Sequence, residues 1–527
     1  MTKKVAMYLP ARGDPVKGEL ISADLLPLEL QQIAGVALAK GWQVELVDAM
    51  VEERPLERVL EACAGADVFC SSCILGYQVF DGVEVSNAVR EKFPHLPIWW
   101  GGWFPSAVPE LFLSGASADA VCVGQGEITF GEMLDALESR VPLDGIDGLA
   151  LMRDDHIVFT PRRKIVGFES FPRCPFDEVL DLERYYAEQR RQCEIERSPN
   201  GRGIRHRFPD PPGRSAYPAI SYHSSFGCPE PCTFCNSPGL TNRAWKMMPA
   251  EDLLDHVQEI HDRHPFVGLR FQDANFGVHQ GRTRAFAEGL LERDLKLTWH
   301  ATIEIKQINQ YSEETMDALA ASGLFIVTTG VESASWETQQ IIGKRIKPGE
   351  TISALEKMDK RGIVAGASYI IGYPGETEES MRETLDEARY IKNNFKYASV
   401  DVFPYRPIPG AALWQSALDQ GYEPPTSARE WGRMFEYKAD SWKGAIPQSV
   451  ARDWSVFNFL APWADGHVRC SPVMKKLLGA AARWRMRTGF YSLPIEHKAY
   501  HRMRQLLDKI GVPRLDSSVG DETPAAP

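Results

Sequence analysis

Cysteine is scarce in this chain, 10 in 527 residues, far below the density of a scaffold stapled by disulfides. Long apolar runs are missing too. The nearest are short pieces such as Ser368 to Tyr373, against the ~20 consecutive apolar residues that span a bilayer. The N-terminus, MTKKVAMYLPARGDP, breaks into Arg, Gly, Asp and Pro after a brief apolar stretch, so no secretory signal is visible. Excess basic charge is also lacking: 59 Lys and Arg stand against 71 Asp and Glu, a net charge of −12, which argues against a general nucleic-acid binder. What is present is ordinary. Hydrophobic residues make up 44% and charged residues 25%, enough to bury a core and to exclude global disorder. The length predicts about two to four domains. The class that remains is a cytoplasmic enzyme with reduced thiols, and the use of those thiols is the open question.

Strand and helix patterns alternate from Lys4 onward: VAMYLP, a helix over Leu28 to Lys40, QVELVDA, a helix near Leu56 to Ala64, and ADVFCSS. A helix around Gly82 to Lys92 follows, then LPIWW running into Gly101 and Gly102, and DAVCV running into Gly124, Gln125, Gly126 and Glu127. This predicts a parallel, doubly wound, Rossmann-like sheet over residues 1–150. Ligands of such sheets sit beyond the carboxyl ends of the strands, which here carry Ser71, Ser72, Gly101, Gly102, Gly124 and Gly126. Small residues also end strands to make tight turns, and that alternative stands for each glycine.

Residues 151–215 read as a connector, mostly loop, with FPRCPF and FPDPPGR separated by the charged run Leu182 to Arg197. A second alternation fills residues 216–420, with strands PAISYHSS, VGLRFQD, LTWHATI, FIVTTGVE, AGASYIIG and ASVDVFP and helices between them. Six units fall short of the eight of a closed barrel, so a laterally open, partial TIM-like (β/α)6 barrel is expected. Residues 421–515 look helical and rich in Trp and Arg, and 516–527 look like a disordered tail. Between Lys475 and Lys509 there are nine Lys or Arg against two acids. A solvated helical face packed on the barrel is the first reading, and contact with an anionic membrane or an acidic substrate is the second.

Cys228, Cys232 and Cys235 stand in FGCPEPCTFCN, a C-x3-C-x2-C spacing placed directly after a strand. Zinc sites of this type usually want two separated pairs, and no second pair stands nearby, although His223 is close. Three thiolates suit an iron–sulfur cubane with one iron left open to a further ligand. Gly227, Pro229 and Pro231 suit a loop that wraps tightly. Cys70 and Cys73 form a C-x2-C without a partner pair at the end of a predicted buried strand, and burial is the simpler account. The scattered Cys63, Cys122, Cys174, Cys193 and Cys470 read as structural.

CPEPCTFC, with Phe234 before the third cysteine, resembles the cluster loop of the radical SAM superfamily. Further motifs match in order: FQDANF (Phe271 to Phe276), TTGVES (Thr328 to Ser333), IIGYPGET (Ile370 to Thr377) and FPYRPIPG (Phe403 to Gly410). The resemblance implies a [4Fe-4S] cluster on the three cysteines and S-adenosylmethionine on its open iron. It also implies SAM contacts from Phe234, Asp273, Glu332 and Gly372. For Asp273 and Glu332, a strand-end capping or salt-bridging role is the structural alternative. PLELQQIAGVALAKGWQVELVDA, the GGWFP turn and VGQGEITFGEML resemble the cobalamin-binding domain of cobalamin-dependent radical SAM enzymes, which implies cobalamin held by Ser71, Ser72, Gly101, Gly102, Gly124, Gly126 and Glu127. Related cobalamin domains ligate cobalt through a His in the loop after the first strand. Here that loop is YLPARGDP and has none.

The resemblance implies methylation of an unactivated carbon in a small molecule, a natural product, lipid or tetrapyrrole, through methylcobalamin and a 5′-deoxyadenosyl radical. An external one-electron reductant of flavodoxin or ferredoxin type goes with that chemistry. A cobalamin-dependent oxidative cyclase or rearrangement enzyme is the alternative. A methylthiotransferase should carry an early cysteine and a C-terminal β-barrel, whereas here no cysteine precedes Cys63. A cobalamin sensor would not need the three-cysteine loop. Catalytic acid and base residues are not identifiable from the sequence.

Overall fold

Val5, Met7 and Leu9 are buried against one set of side chains and Ala6 and Tyr8 against another, so the first strand buries both of its faces. The computed structural model describes residues 3–13, 25–115, 117–197, 217–433, 445–465, 472–491, 495–499 and 502. In it, β1 (Lys4–Leu9), β2 (Gln43–Asp48), β3 (Val68–Ser72), β4 (Ile98–Gly101) and β5 (Ala120–Cys122) are parallel and lie in the order β2-β1-β3-β4-β5. Helices Leu28–Ala39 and Glu127–Ser139 cover one face, and Pro55–Cys63 and Tyr77–Lys92 cover the other. The doubly wound sheet expected from the alternation is therefore observed.

In its described part, residues 151–197, the connector carries regular elements, and FPDPPGR lies outside the described residues. The connector's start forms an antiparallel hairpin, β6 (Leu149–Arg153) and β7 (His156–Phe159), which extends the first sheet to seven strands past residue 150. The charged run forms a helix, Leu182–Arg197. Its polar surface concealed a buried stripe: Leu182, Tyr185, Tyr186 and Gln189 all face inward.

The second sheet comprises β8 (Ala219–Tyr222), β11 (Gly268–Phe271), β12 (Thr298–Thr302), β13 (Leu324–Glu332), β14 (Val364–Ile371) and β15 (Ala398–Pro404), all parallel, in the order β15-β14-β13-β12-β11-β8. This is the open partial barrel. PAISYHSS does not form one strand. It stops at Tyr222 and resumes as β9 (Ser225–Gly227), which pairs antiparallel with β10 (Trp245–Met247). An open barrel leaves two strand edges with unpaired backbone groups, and both are met by side chains. On β8, Gln189 accepts from Ala219 N at 2.8 Å and donates to its carbonyl at 2.9 Å. On β15, Trp454 Nε1 and Asn458 Nδ2 donate to Val402 O at 2.7 and 2.9 Å.

The helix Leu182–Arg197 also joins the two sheets, because Tyr185 Oη donates to the buried Asp48 of β2 at 2.8 Å. Leu26 N donates to Ser221 Oγ of β8 at 2.8 Å. The C-terminal region is helical where described, with Gln448–Asp465 and Pro472–Thr488 the longest elements. Residues 503–527, the expected tail among them, lie outside the described residues.

Trp100 of β4 is fully buried and its Nε1 donates to Ser86 Oγ at 3.1 Å. It packs so closely on Gly82 that a Cβ there would lie 2.4 Å from the ring and 2.8 Å from Pro10. Gly82→Ala is expected to destabilise the first domain by about 1–3 kcal/mol through overpacking, despite alanine's better helix propensity. A lower thermal unfolding midpoint by circular dichroism checks this.

Candidate functional site

The carboxyl ends of β3, β4 and β5 open into a cavity of about 370 Å³. All seven residues expected to hold cobalamin line it: Ser71, Ser72, Gly101, Gly102, Gly124, Gly126 and Glu127. Gly102 has φ +95°, and a Cβ on it would lie 2.3 Å from Ser72 Oγ and 3.0 Å from Cys73 O, so only glycine fits that turn. At Gly124, φ is +89° and a Cβ would meet nothing within 4 Å, so the backbone there borders open space. Ser106, which the motif reading missed, ties the floor together by donating to Gly102 O at 2.7 Å and accepting from Gly124 N at 3.0 Å.

Glu127 opens the helix Glu127–Ser139 and is buried, with Oε2 lacking any hydrogen-bond partner. Burial pushes its carboxyl up to about 7, against hydrogen bonds from the Glu127 and Gly126 amides. The opposite wall comes from the second half of the chain, with Cys174 and Phe176 of the connector and Tyr222, His223, Phe226 and Gly227 just before the cysteine loop. His223 Nδ1 is buried without a partner, 4.0 Å from an oxygen of Asp273. Cys70 lines the cavity while Cys73 belongs to the core on the other sheet face, so the C-x2-C is split by strand alternation and both thiols are buried. Cys122 and Cys174, read as structural, also line the cavity. The Cys193 side chain and Cys470 lie outside what the structure describes.

Asp273 is enclosed at the end of β11 and its carboxylate is fully used. Oδ1 accepts from Ser224 N at 2.7 Å, and Oδ2 accepts from the hydroxyls of Ser224 and Ser225 at 2.6 and 2.7 Å. This is why β8 ends: the amide that would continue the ladder is given to a side chain. Arg282 backs the same turn, donating to Ser224 Oγ at 2.6 Å and to Met248 O at 2.9 Å. These three hydrogen bonds are the contacts of a strand-end cap.

The loop from Cys228 to Cys235 follows immediately. Gly227, at φ +79°, lets it turn where a Cβ would collide with Ala244 O. Thr233 fixes its middle, since its N and Oγ1 donate to the carbonyls of Ile342 and Ile341, both at 2.9 Å, and its carbonyl accepts from Leu413 N at 2.9 Å. Glu230 pairs with Lys306 at 3.1 Å. Beneath the loop lies an ion triad: Lys344 Nζ sits 2.9 Å from Glu304 Oε2 and 3.1 Å from Glu332 Oε1, with all three residues buried. Burial opposes the lysine's charge, but the two carboxylates together hold it firmly protonated. Burial raises Glu332 and Lys344 opposes that rise. Lys344 and Glu304 had no motif to mark them. Glu332 adopts φ +70° at a bulge in β13, and a Cβ on Gly330 would lie 2.0 Å from its Oε1.

Gly372 and Tyr373 donate their amides to Glu376 Oε2 at 2.6 and 3.1 Å, closing the IIGYPGET turn, and Phe234 packs on Tyr373 with ring centroids 5.7 Å apart. Burial pushes the Cys228 thiol up to about 11 and raises Cys232 and Cys235, while Lys344 draws the latter two toward thiolate. Among the described residues no three His, Cys, Asp or Glu side chains already converge as a metal site. The three sulfurs lie along one anchored loop beside a buried cation, a donor set that suits an anionic thiolate cluster, and ligand closure then accompanies binding.

Two family models match this arrangement, the radical SAM superfamily over residues 222–388 and the B12 binding domain over residues 19–134. The chain belongs to the radical SAM superfamily, as a member with a B12-binding domain. A radical SAM domain works with SAM and a [4Fe-4S] cluster and a B12-binding domain with cobalamin, so these are its cofactors. The chain is similar to an uncharacterised methyltransferase of Pyrococcus horikoshii, 24% identical over 417 residues, 79% of this chain and 83% of that protein. It is similar also to the anaerobic magnesium-protoporphyrin IX monomethyl ester cyclase of Synechocystis sp., 21% identical over 75% of this chain and 74% of that one. Its fold matches the radical SAM methyltransferase TsrM of Kitasatospora setae with a TM-score of 0.64 at 16% identity, covering 97% of this chain and all of that one. No described helix is long and apolar enough to cross a membrane.

The radical SAM domain depends on the Asp273 turn for the position of its cysteine loop. Asp273→Ala leaves Ser224 N–H and the hydroxyls of Ser224 and Ser225 without their buried acceptor, and is expected to lower stability by about 1–3 kcal/mol and to reduce retained iron. Asp273→Asn, which can still accept from Ser224 N, retains more. Iron per chain after anaerobic reconstitution, with the unfolding midpoint, checks this. In the B12-binding domain, Glu127 is protonated in both folded and unfolded chains well below its ordinary value of 4.5. As pH rises from there through about 7, the unfolded chain loses its proton first and the folded state is penalised, by up to a few kcal/mol. Glu127→Gln removes the penalty, so the variant's unfolding midpoint relative to the parent is expected to rise between pH 5 and pH 8.

Proposed function

We propose that this radical SAM enzyme is a cobalamin-dependent methyltransferase acting on an unactivated carbon of a small molecule, in the range of a natural product, lipid or tetrapyrrole. The observation that carries the reading is the shared cavity. One wall is the strand ends of the B12-binding domain, and the other runs through His223, Phe226 and Gly227 to the residue before Cys228. Similarity to a methyltransferase along most of both chains supports the same reading.

In this proposal Cys228, Cys232 and Cys235 hold the cluster. Phe234, Glu332 and Gly372 border the SAM, and Asp273 acts behind them by holding the turn. Ser71, Ser72, Gly101, Gly102, Gly124, Gly126 and Glu127 receive cobalamin. When bound, these cofactors supply a one-electron route to a carbon radical and a methyl donor, steps that no amino-acid side chain provides. The chain's own residues do the rest. Trp99, Phe130, Met133, Phe176 and Phe226 keep the cavity apolar and exclude water, which protects a radical from quenching. Lys344 offsets negative charge under the cysteine loop. Glu127, titrating near neutral pH, can present a proton at Oε2 as a hydrogen-bond donor to an amide oxygen of the cofactor. An external reductant of flavodoxin or ferredoxin type delivers the electron.

Similarity to the Synechocystis cyclase keeps an oxidative cyclisation as the second reading. Products separate the two. Anaerobically reconstituted enzyme with cobalamin, reductant and candidate substrates is expected to yield S-adenosylhomocysteine together with 5′-deoxyadenosine. 5′-Deoxyadenosine alone, with a dehydrogenated or cyclised product, would replace methyl transfer by the second reading. Cys228→Ala is expected to lose both the iron–sulfur absorbance and SAM cleavage, and retained cleavage would remove the loop from the mechanism.

A further inference from the structure

The helix Pro472–Thr488 has two unlike faces. Ala482, Arg485 and Met486 are buried, and Arg485 is held from inside by Glu496 Oε2 at 2.9 Å and Phe490 O at 2.8 Å. An adjoining face is apolar and exposed. Leu477 and Trp484 stand two helical turns apart, so they share a side, and are 66% and 53% exposed. Just beyond the helix, Phe490 is 41% exposed and packs edge-on against Trp484 at 5.7 Å, with the Arg485 guanidinium over the inner side of both rings at 5.7 and 5.9 Å, and Ile495 is 73% exposed. Lys476, Arg483 and Arg487 are exposed on the same helix, and Lys498 is exposed three residues after Ile495. None of the four forms a side-chain ion pair among the described residues.

We propose that this face docks the protein on an anionic bilayer surface. Three features select that occupant. Four exposed cations that form no side-chain ion pair among the described residues stand here on a chain whose net charge is −12, so the charge is a local exception complementary to acidic headgroups. The face's large apolar groups include a Trp and a Phe in contact with each other, the side chains that settle at the headgroup level. The apolar groups also project separately between long flexible cations. A fluid surface accepts that pattern, with stems and rings entering the acyl boundary while charges stay at the phosphates. A folded protein partner would need a shaped pocket for each projection. The absence of a described spanning helix makes the association peripheral. Each cation near such a surface contributes roughly fivefold in affinity, and the effect is screened by salt.

The full-length chain is tested by flotation with vesicles of phosphatidylcholine and phosphatidylglycerol at 3:1, beside vesicles of phosphatidylcholine alone. Binding to the anionic vesicles, weakened at least tenfold by 0.5 M salt and weak on the neutral ones, is expected. Arg483→Glu with Arg487→Glu should reduce it at least tenfold, as should Trp484→Ala with Phe490→Ala, with unchanged circular dichroism. If the charge reversals do not fold, Arg483→Gln with Arg487→Gln gives the same reading at about half the loss. Absence of binding to the anionic vesicles, or binding that both pairs leave intact, overturns the proposal. So does light scattering that shows a dimer dissociated by Trp484→Ala with Phe490→Ala, which would give the face to a second copy. No catalytic measurement enters, so the result stands or falls apart from the methyl-transfer reading.

Discussion

The carboxylate of Asp273 decides where one strand ends and the cysteine loop begins. By taking the amide of Ser224 and two serine hydroxyls, it turns the chain out of the β8 ladder and into the short pair β9 and β10. Two consequences share that cause. Gly227 arrives at the left-handed conformation that launches the loop, and His223 and Phe226 are left facing the cavity of the first domain. A buried carboxylate bonded in this way costs desolvation, which its three donors and the neighbouring Arg282 offset. Its contribution is positional, and the geometry of this cavity wall depends on it.

The ion triad poses a similar problem on the far side of the loop. A buried Lys344 between Glu304 and Glu332 is weak as a source of stability, since well-packed apolar residues often do as well. It makes more sense as an electrostatic setting. Three thiols that must become thiolates are better placed near a fixed cation than in apolar surroundings, and Lys344 acts in that direction on Cys232 and Cys235. The bulge and positive φ at Glu332 are the backbone's accommodation of the same triad.

Most of the architecture was legible because its signal is local. Buried parallel strands read as apolar runs, the helices between them as periodic stripes, and the small residues after β3, β4 and β5 as chain turns beyond the strand ends, where all seven named residues line one cavity. The cysteine spacing was legible for the same reason. The rest is long-range. Gln189 reads as one polar residue in a charged run, yet it completes the edge of β8, from which thirty residues of sequence separate it. Lys344 and Glu304 lie forty residues apart and carry no motif. The break of PAISYHSS depends on Asp273, nearly fifty residues downstream, which local alternation cannot register.

The strand ends of the first sheet and the end of β8 border one space, and that follows from how the edges of the sheets are closed. A partial barrel cannot satisfy its outer strands by itself. The β8 edge is met by Gln189, on the same helix whose Tyr185 reaches Asp48 in the first sheet. Closing the edge of one domain thereby fixes the position of the other. The remaining gap between them is bridged by Leu26 to Ser221, and by Gln31 and Gln32 to the carbonyls of Pro175 and Pro172. These polar contacts run beside an apolar seam in which Leu26, Leu28 and the partly buried Leu46 and Val51 share a core with Phe176, Leu182 and Tyr222. An interface of that kind holds the two walls of the cavity in register while leaving the space between them open, which is what chemistry shared between two domains requires.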